Sequence, residues 1–207
     1  MSRIVIISAG DIASNASEAL RPDDMIIACD AGYRRCEALG IRPDVILGDF
    51  DSAPRPEYPN LIILPHVKDD TDTHYAAKLA LEKGATEVLM LGALGGRRME
   101  HTLANLSTGL WLAKQGIDVS ILGEYSRLSY VIAGQPKTYT KGDYFYFSVF
   151  PLEGTTEGLC IQGAYYSLED AVLTADFPIG VSNEFAADKI HISCRSGSLL
   201  VVETKAD

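Results

Sequence analysis

Asp49 and Asp51 stand two residues apart in the stretch VILGDFDS, Val45 to Ser52, directly after a short apolar run that ends in Gly48. The run reads as a buried strand, and Gly48 lets the backbone turn sharply at its end. Paired carboxylates just beyond a strand can converge where open α/β sheets bind ligands. They suit Mg²⁺, which takes one or two carboxylates together with phosphate oxygens and water. Asp is also a common turn residue, so an ordinary polar loop accounts for the same stretch. The other acids weigh in favour of chemistry. Asp30 closes the apolar run Met25 to Cys29, and Lys68-Asp69-Asp70-Thr71-Asp72 follows the run Leu61 to Leu64. Asp69 and Asp72 are three apart at a predicted helix start, where they can share a face. A helix N-cap explains one such acid, but this segment holds three.

Cations and glycines supply the complementary half. Gly95-Gly96 precedes Arg97, Arg98, Glu100, His101 and Asn105. A glycine turn into a helix exposes backbone N–H groups, and a helix N-terminus attracts phosphate. Arg97 or Arg98, His101 and Asn105 recur at helical spacing as a polar stripe. Beside it runs an apolar stripe of Met99, Leu103, Leu106, Leu110 and Ala113, expected to face the core. Lys68 is the other cation placed to meet a phosphate. A solvated helix face and a surface lysine are the plain alternatives.

Positioning these residues requires strands and helices in alternation. From Arg3 to about Val131, near-continuous apolar runs alternate with helical patterns that stop at Gly40, Gly84 and Gly116. This predicts a mainly parallel sheet covered on both faces. Asp30, Asp49 with Asp51, Asp69 with Asp72, and the segment from Gly95 to Asn105 then fall beyond the C-terminal ends of strands. After about Gly134 the pattern shortens into alternating, aromatic-rich strands without a convincing helix. A turn is expected at Gly142-Asp143, and Ser196-Gly197 reads as a hairpin turn between the last two strands. The fold class is therefore an α/β N-terminal domain, residues 1–133, with a mainly parallel sheet. A small all-β C-terminal domain, a sandwich or barrel, follows over residues 134–207.

Composition narrows the partners. The chain has 207 residues, 47% hydrophobic and 22% charged, the mix of a globular protein with a sizeable core. A net charge of -10 argues against nucleic acid or an anionic membrane as partner and favours a cationic substrate. No apolar run is long enough for a membrane span, and the opening MSRIVIISAG reads as a first strand rather than a secretory leader. A cytoplasmic location is expected. Cys29, Cys36, Cys160 and Cys194 form no CxxC pair and read as buried free thiols.

Taken in order, these segments carry a resemblance. The set Asp30-Ala31-Gly32, Leu39-Gly40-Ile41-Arg42-Pro43-Asp44, Gly48-Asp49-Phe50-Asp51-Ser52, Lys68-Asp69-Asp70-Thr71-Asp72 and Gly-Gly-Arg…His…Asn resembles thiamine pyrophosphokinases. Val181-Ser182-Asn183-Glu184 looks like that family's C-terminal SN motif. The resemblance implies transfer of a diphosphate from ATP to the hydroxyl of thiamine, giving thiamine diphosphate and AMP. It implies Mg²⁺, a β-sandwich second domain, and a homodimer with sites at the subunit interface. Residue by residue, it makes Asp30, Asp49, Asp51, Asp69 and Asp72 the catalytic acidic group, with Asp49, Asp51 and Asp72 holding the metal. Lys68, Thr71, Gly96, Arg98, Glu100, His101 and Asn105 would bind ATP, and Ser182 and Asn183 would touch thiamine. The family's usual GGR-x-D-H is one residue longer here and carries Glu100 for Asp, so Arg97 or Arg98 can fill the arginine role. Asp69 or Asp72 could take the hydroxyl proton.

Other readings use the same residues differently. A strand followed by DxD also opens haloacid-dehalogenase-type phosphatases, where one Asp is a nucleophile, but there it follows the first strand. A DxD glycosyltransferase would need a longer chain. A non-catalytic regulator that binds thiamine or nucleotide on the same fold is the alternative from outside the enzymes.

Overall fold

The structure is a computed structural model, and it describes residues 2–13, 16–51 and 53–206. Ser52 of the DFDS stretch lies outside the described residues. The chain divides into two compact units, 1–124 and 125–207.

The first unit is built on strands β1 (Arg3–Ile7), β2 (Met25–Cys29), β3 (Val45–Gly48), β4 (Leu61–Ile63), β5 (Glu87–Leu91) and β6 (Asp118–Leu122). They pair in the order β6-β5-β1-β2-β3-β4, and every pairing is parallel. Helices α1 (Gly32–Ala38), α2 (Asp72–Glu82) and α3 (Met99–Lys114) connect them. Strand residues alternate between the two faces. Val5, Ile7, Ala28, Ile46, Leu89 and Leu91 pack with Tyr33 and Cys36 of α1. The alternate positions Ile4, Ile6, Ile27, Leu47, Val88 and Met90 are equally buried. On that side α2 touches β1, β2 and β3, while α3 touches α2 and β6. Burial of both faces is why these strands read as unbroken apolar runs.

α3 departs from its expected orientation over its first turns. Met99 and Leu103 are each 59% exposed, whereas Asn105, Thr108, Gly109 and Leu112 are buried. Of the polar stripe, Asn105 turns inward with a partner there, as does Thr108 one turn on, while Arg97, Arg98 and His101 stay exposed. Asn105 Nδ2 donates to Ala93 O at 2.8 Å, and Thr108 Oγ1 lies 3.1 Å from His74 Nδ1 on α2. Ala113 is the member of the expected apolar stripe that reaches the core.

A buried ion pair ties down the start of the sheet. Arg3 donates to both carboxylate oxygens of Asp24, at 2.7 and 2.6 Å, and to Ala19 O at 2.8 Å. The Asp24 side chain is 1% exposed. Burial works to raise its carboxyl, but Arg3 and Arg21 outweigh it and leave it below the ordinary carboxylate value. The pair's stability is therefore present above the unfolded value, about pH 4, and is lost as pH falls through the lower folded value. The urea midpoint is expected to drop between pH 5 and pH 3. Arg3→Met is expected to shrink that acid-induced drop while lowering the midpoint at neutral pH, since it strands the buried Asp24 charge.

The second unit comprises β7 (Ser126–Ile132), β8 (Lys137–Thr140), β9 (Tyr144–Pro151), β10 (Thr155–Gln162), β11 (Leu168–Thr174), β12 (Asn183–Glu184), β13 (Lys189–Ser193) and β14 (Ser198–Lys205). Antiparallel pairing gives one sheet in the order β12-β9-β14-β7 and another in the order β11-β10-β13-β8. One core holds Val131, Phe147 and Val201 of the first sheet together with Leu159, Ile161 and Ile190 of the second.

Two expectations change here. The unit begins at Tyr125 rather than at 134, because β7 pairs antiparallel with β14. Ser196-Gly197 does not close a hairpin, since β13 and β14 lie in different sheets. Instead Arg195 N and Ser196 N both donate to Glu157 O, at 2.9 and 3.2 Å, which holds the crossing segment against β10. The close approach explains the glycine, since a Cβ on Gly197 would sit 2.7 Å from Thr155 O. The four cysteines are free, with Cys29, Cys36 and Cys194 buried and Cys160 partly so. Among the described residues, no helix is long and apolar enough to cross a membrane.

Candidate active site

The strand order fixes where a ligand can sit. β1 is flanked by β2 on one side and β5 on the other, so successive connections leave it in opposite directions. A crevice opens at such a reversal, beyond the strand ends. A cavity of about 660 Å³ lies there. Its walls include Ser8, Gly10, Cys29, Asp30, Asp72, Gly92 and the Gly95-to-Arg98 turn. Two glycines make the floor possible: a Cβ on Gly10 would meet Gly92 O at 2.4 Å, and one on Gly92 would meet Ser8 O at 2.4 Å.

Gly48 has a different task from the one expected. It belongs to β3, and a Cβ there would stand 2.9 Å from Asp30 Cα. Asp30 N also donates to Leu47 O at 2.7 Å. Close backbone contact, rather than a sharp turn at Gly48, thus brings Asp30 and the Asp49 loop together. The turning is done by non-glycine residues in the left-handed region, Asp30 at φ 45° and Phe50 at φ 56°. Strained backbone of this kind concentrates at functional sites.

Lys68 sits between two of the expected carboxylates. Its Nζ donates to Asp49 Oδ2 at 2.6 Å and lies 3.1 Å from Asp72 Oδ1. The Lys68 bond holds the Asp49 carboxyl below its ordinary value. Asp72 behaves oppositely: burial raises its carboxyl, Lys68 opposes the rise, and the Asp49 and Asp30 charges add to it. Its Oδ1 is buried, and the Lys68 approach compensates its charge without hydrogen-bond alignment. The same acids act on Cys29, whose thiol is pushed up by burial and then by Asp72 and Asp30.

The Lys68-to-Asp72 segment separates into distinct roles. Thr71 caps α2 by accepting from His74 N at 3.1 Å, so no aspartate serves as the cap. Asp70 binds Lys78 Nζ, at 2.9 and 2.7 Å. Asp72 is the first helical residue and lines the cavity. Asp69 precedes the helix and is exposed, so it shares no helical face with Asp72. Asp51 is exposed as well, its N–H donating to Asp49 Oδ1 at 3.3 Å.

Across the cavity, Gly95 and Gly96 adopt φ 72° and 81° and lead into α3, whose N-terminus has no side-chain cap. Arg97, Arg98 and His101 line this wall. Glu100 accepts from Arg98 Nε at 2.8 Å, which ties Arg98 rather than Arg97 to the residue that departs from the family pattern. Asn105 also borders the cavity, but its bond to Ala93 O makes it a brace for the glycine segment.

Ser182 and Asn183 lie in the second unit. Ser182 is exposed at φ 58°, with its N–H donating to Ser148 Oγ at 3.0 Å. Asn183 is buried and accepts from Tyr166 N at 3.0 Å and Glu184 N at 2.9 Å, while donating to Tyr166 O at 2.8 Å. Its amide is committed to backbone, so it fixes the segment bearing the exposed Tyr165 and Tyr166 rings. Asn183→Ala is expected to cost about 2 kcal/mol and to speed hydrogen exchange at the Tyr166 amide ahead of the β14 amides.

Sequence reasoning passed over the end of β1. Ser8, with its hydroxyl 2.9 Å from buried Thr73 Oγ1, and Arg35, which donates to Asp11 Oδ1 at 3.0 Å, both line the cavity. The signal was present in Ser8-Ala9-Gly10, since the strand-end rule applies to β1 as to the others. His66, 3.7 Å from Asp49 Oδ2, had no motif to mark it.

Known proteins match both units of the chain. The thiamin pyrophosphokinase catalytic domain matches residues 16–121, and that family's vitamin B1 binding domain matches residues 136–199. A thiamine pyrophosphokinase of Bacillus subtilis (strain 168) is 25% identical over 185 residues, 86% of each chain. Among solved structures, thiamine pyrophosphokinase from Bacillus subtilis superposes with a TM-score of 0.90 over 100% of both chains at 24% identity. That from Geobacillus thermodenitrificans gives 0.88 at 25% identity, covering 99% of this chain and 98% of that one. The Candida albicans protein shares the fold at 14% identity, with a TM-score of 0.81 over 99% of this chain and 89% of that one. With both domain types present in order, and a cavity where the acidic and glycine segments meet, the chain belongs to the thiamin pyrophosphokinase family.

Proposed function

We propose that the protein transfers the terminal diphosphate of ATP to the hydroxyl of thiamine, releasing AMP and thiamine diphosphate. The observation that carries this reading is the meeting of Asp30, Asp49 and Asp72 beside a cavity whose opposite wall is the Gly95–Gly96 turn and the open α3 N-terminus. Phosphoryl-type transfer needs positioning and charge neutralisation more than covalent chemistry. The α3 N–H groups, Arg97, Arg98 and His101 form a wall suited to phosphate oxygens.

The donor set fits a divalent cation: Asp49 and Asp51 present carboxylates together, and Asp72 Oδ1 is buried without a hydrogen bond. Mg²⁺ bound by Asp49, Asp51 and Asp72 would neutralise charge on the transferring phosphates. Lys68, already on Asp49 and Asp72, is placed to follow the phosphate charge. Asp72 takes the hydroxyl proton in preference to Asp69, because Asp72 lines the cavity and burial raises its carboxyl, while Asp69 is exposed.

The second unit, read as a β-sandwich, supplies the thiamine-facing residues, with Ser182 presented and Asn183 bracing the Tyr166 segment behind it. A homodimer with shared sites belongs to this reading, supported by the exposed Met99 and Leu103 on α3 and the exposed Phe177 and Ile179 of the second unit. A cytoplasmic location fits four free cysteines.

Incubation with ATP, Mg²⁺ and thiamine tests the proposal. AMP forming in step with thiamine diphosphate is the expected result. ADP would mean transfer of a single phosphoryl group, and ligand binding without turnover would make the chain a regulator. Either outcome sinks the reading.

A further inference from the structure

The loop between β4 and α2 carries a histidine that the mechanism above leaves idle. His66 follows Pro65, is exposed, and sets Nδ1 3.7 Å from Asp49 Oδ2. Asp51 reaches the same point from the segment after β3. One ligand atom from each of Asp49, Asp51 and His66 lies within 4.8 Å of the other two. Neighbouring ligands on one ion, each at about 2.1 Å from it, stand roughly 3 Å apart, so modest closure of two exposed side chains completes the set. Asp72, which the resemblance makes the third metal ligand, is not in this group and faces Lys68 instead.

We propose that His66 joins Asp49 and Asp51 as a ligand of the divalent ion of this site, and that the imidazole biases it toward Mn²⁺ or Co²⁺ over Mg²⁺. The proposal rests on the reading that a divalent ion serves phosphate transfer here. Mg²⁺ favours an all-oxygen octahedral shell and keeps its waters. An imidazole nitrogen raises affinity for first-row transition ions, following their general order of ligand preference. The two carboxylates come from one loop and move together, so a nitrogen from a separate loop is what would fix the ion's position. Lys68 Nζ occupies Asp49 Oδ2, one of the oxygens concerned, at 2.6 Å. Asp49 would hold the ion with the oxygen that Lys68 now occupies, and Lys68 would then be available to the phosphates. Exposure of Asp51 and His66 gives the ion its way in.

Electron spin-echo modulation of Mn²⁺ added to the metal-free full chain reads the proposed bond directly. The expected result is nitrogen coupling in the wild type that disappears in His66→Gln, with Mn²⁺ affinity weakened at least roughly tenfold and Mg²⁺ affinity nearly unchanged. Asp49→Asn, as a second variant, is expected to lose the same coupling. Equal Mn²⁺ affinity in the wild type and His66→Gln without a nitrogen difference would overturn the proposal. So would coupling that persists in His66→Gln, which would put the ion on another of the four histidines, or coupling that persists in Asp49→Asn, which would take Asp49 out of the set. Nitrogen coupling in a protein that forms no AMP would sustain the metal centre while the proposed reaction fails. AMP formation with unaltered coupling in His66→Gln would do the reverse.

Discussion

Asp72→Asn is expected to lower kcat for thiamine diphosphate formation about a thousandfold, the scale for removing one preorganised charged group from a transition state, while the protein remains as heat-stable as the wild type or more so. The two halves of this result share one cause. Burial, with the Asp49 and Asp30 charges, raises the Asp72 carboxyl above its ordinary value. An acid whose folded value lies above its unfolded one adds stability below the unfolded value and loses it as pH rises through the folded one. At neutral pH the ionised Asp72 therefore weighs against the fold, and the neutral amide relieves that weight. Lys68 keeps its 2.6 Å bond to Asp49 in the variant. Steady-state kinetics and a melting curve on one preparation check both halves. Loss of activity together with a lower melting temperature would assign Asp72 a structural role instead.

Arg127→Met is expected to produce the largest stability loss, about 3 kcal/mol. Arg127 donates to both carboxylate oxygens of Glu203 at 2.7 Å, and the Glu203 side chain is 1% exposed. The guanidinium also lies over the Tyr144 ring, 4.8 Å from its centroid. Removing the arginine leaves a carboxylate in the interior without its partner, which costs more than the pair contributes. The double variant Arg127→Met/Glu203→Leu is accordingly expected to regain most of the loss. Chemical denaturation of the two variants decides the point, and a double variant as unstable as the single one would locate the effect in the Tyr144 stacking.

The parallel unit was legible because burial on both faces writes itself into sequence as unbroken apolar runs, and β2 spans the residues expected of it. The strand-end rule singled out Asp30, Asp72 and the Gly95 segment, and in the structure these line one cavity. Periodicity was less informative for α3. It separates a helix into faces without saying which one turns inward, and here hydrogen bonds to Ala93 and His74 outweighed the exposure of Met99 and Leu103. Asp69 and Asp72 looked equivalent because a helix boundary is uncertain by a residue or two from sequence. The Thr71 cap separates them. Ser196-Gly197 has hairpin chemistry, but a turn motif does not reveal whether its flanking strands share a sheet. His66 carries no local pattern at all, and its proximity to Asp49 exists only in three dimensions.

The position of β14 bears on how the second unit is made. β14 lies between β7 and β9, pairing antiparallel with both. These two strands leave the ribosome well before the one that joins them. Until residues 198–205 emerge, β7 and β9 each present an unpaired edge, and the apolar positions Val131, Phe147 and Val149 lack Leu199 and Val201 as neighbours. Non-local pairing of this kind is slow and leaves the growing chain open to association with other chains. The first unit has its six strands by Leu122 and can form while the second is being made. Translation speed and chaperone supply over the last seventy or so codons should therefore govern the yield of soluble protein more than the same variables over the first half.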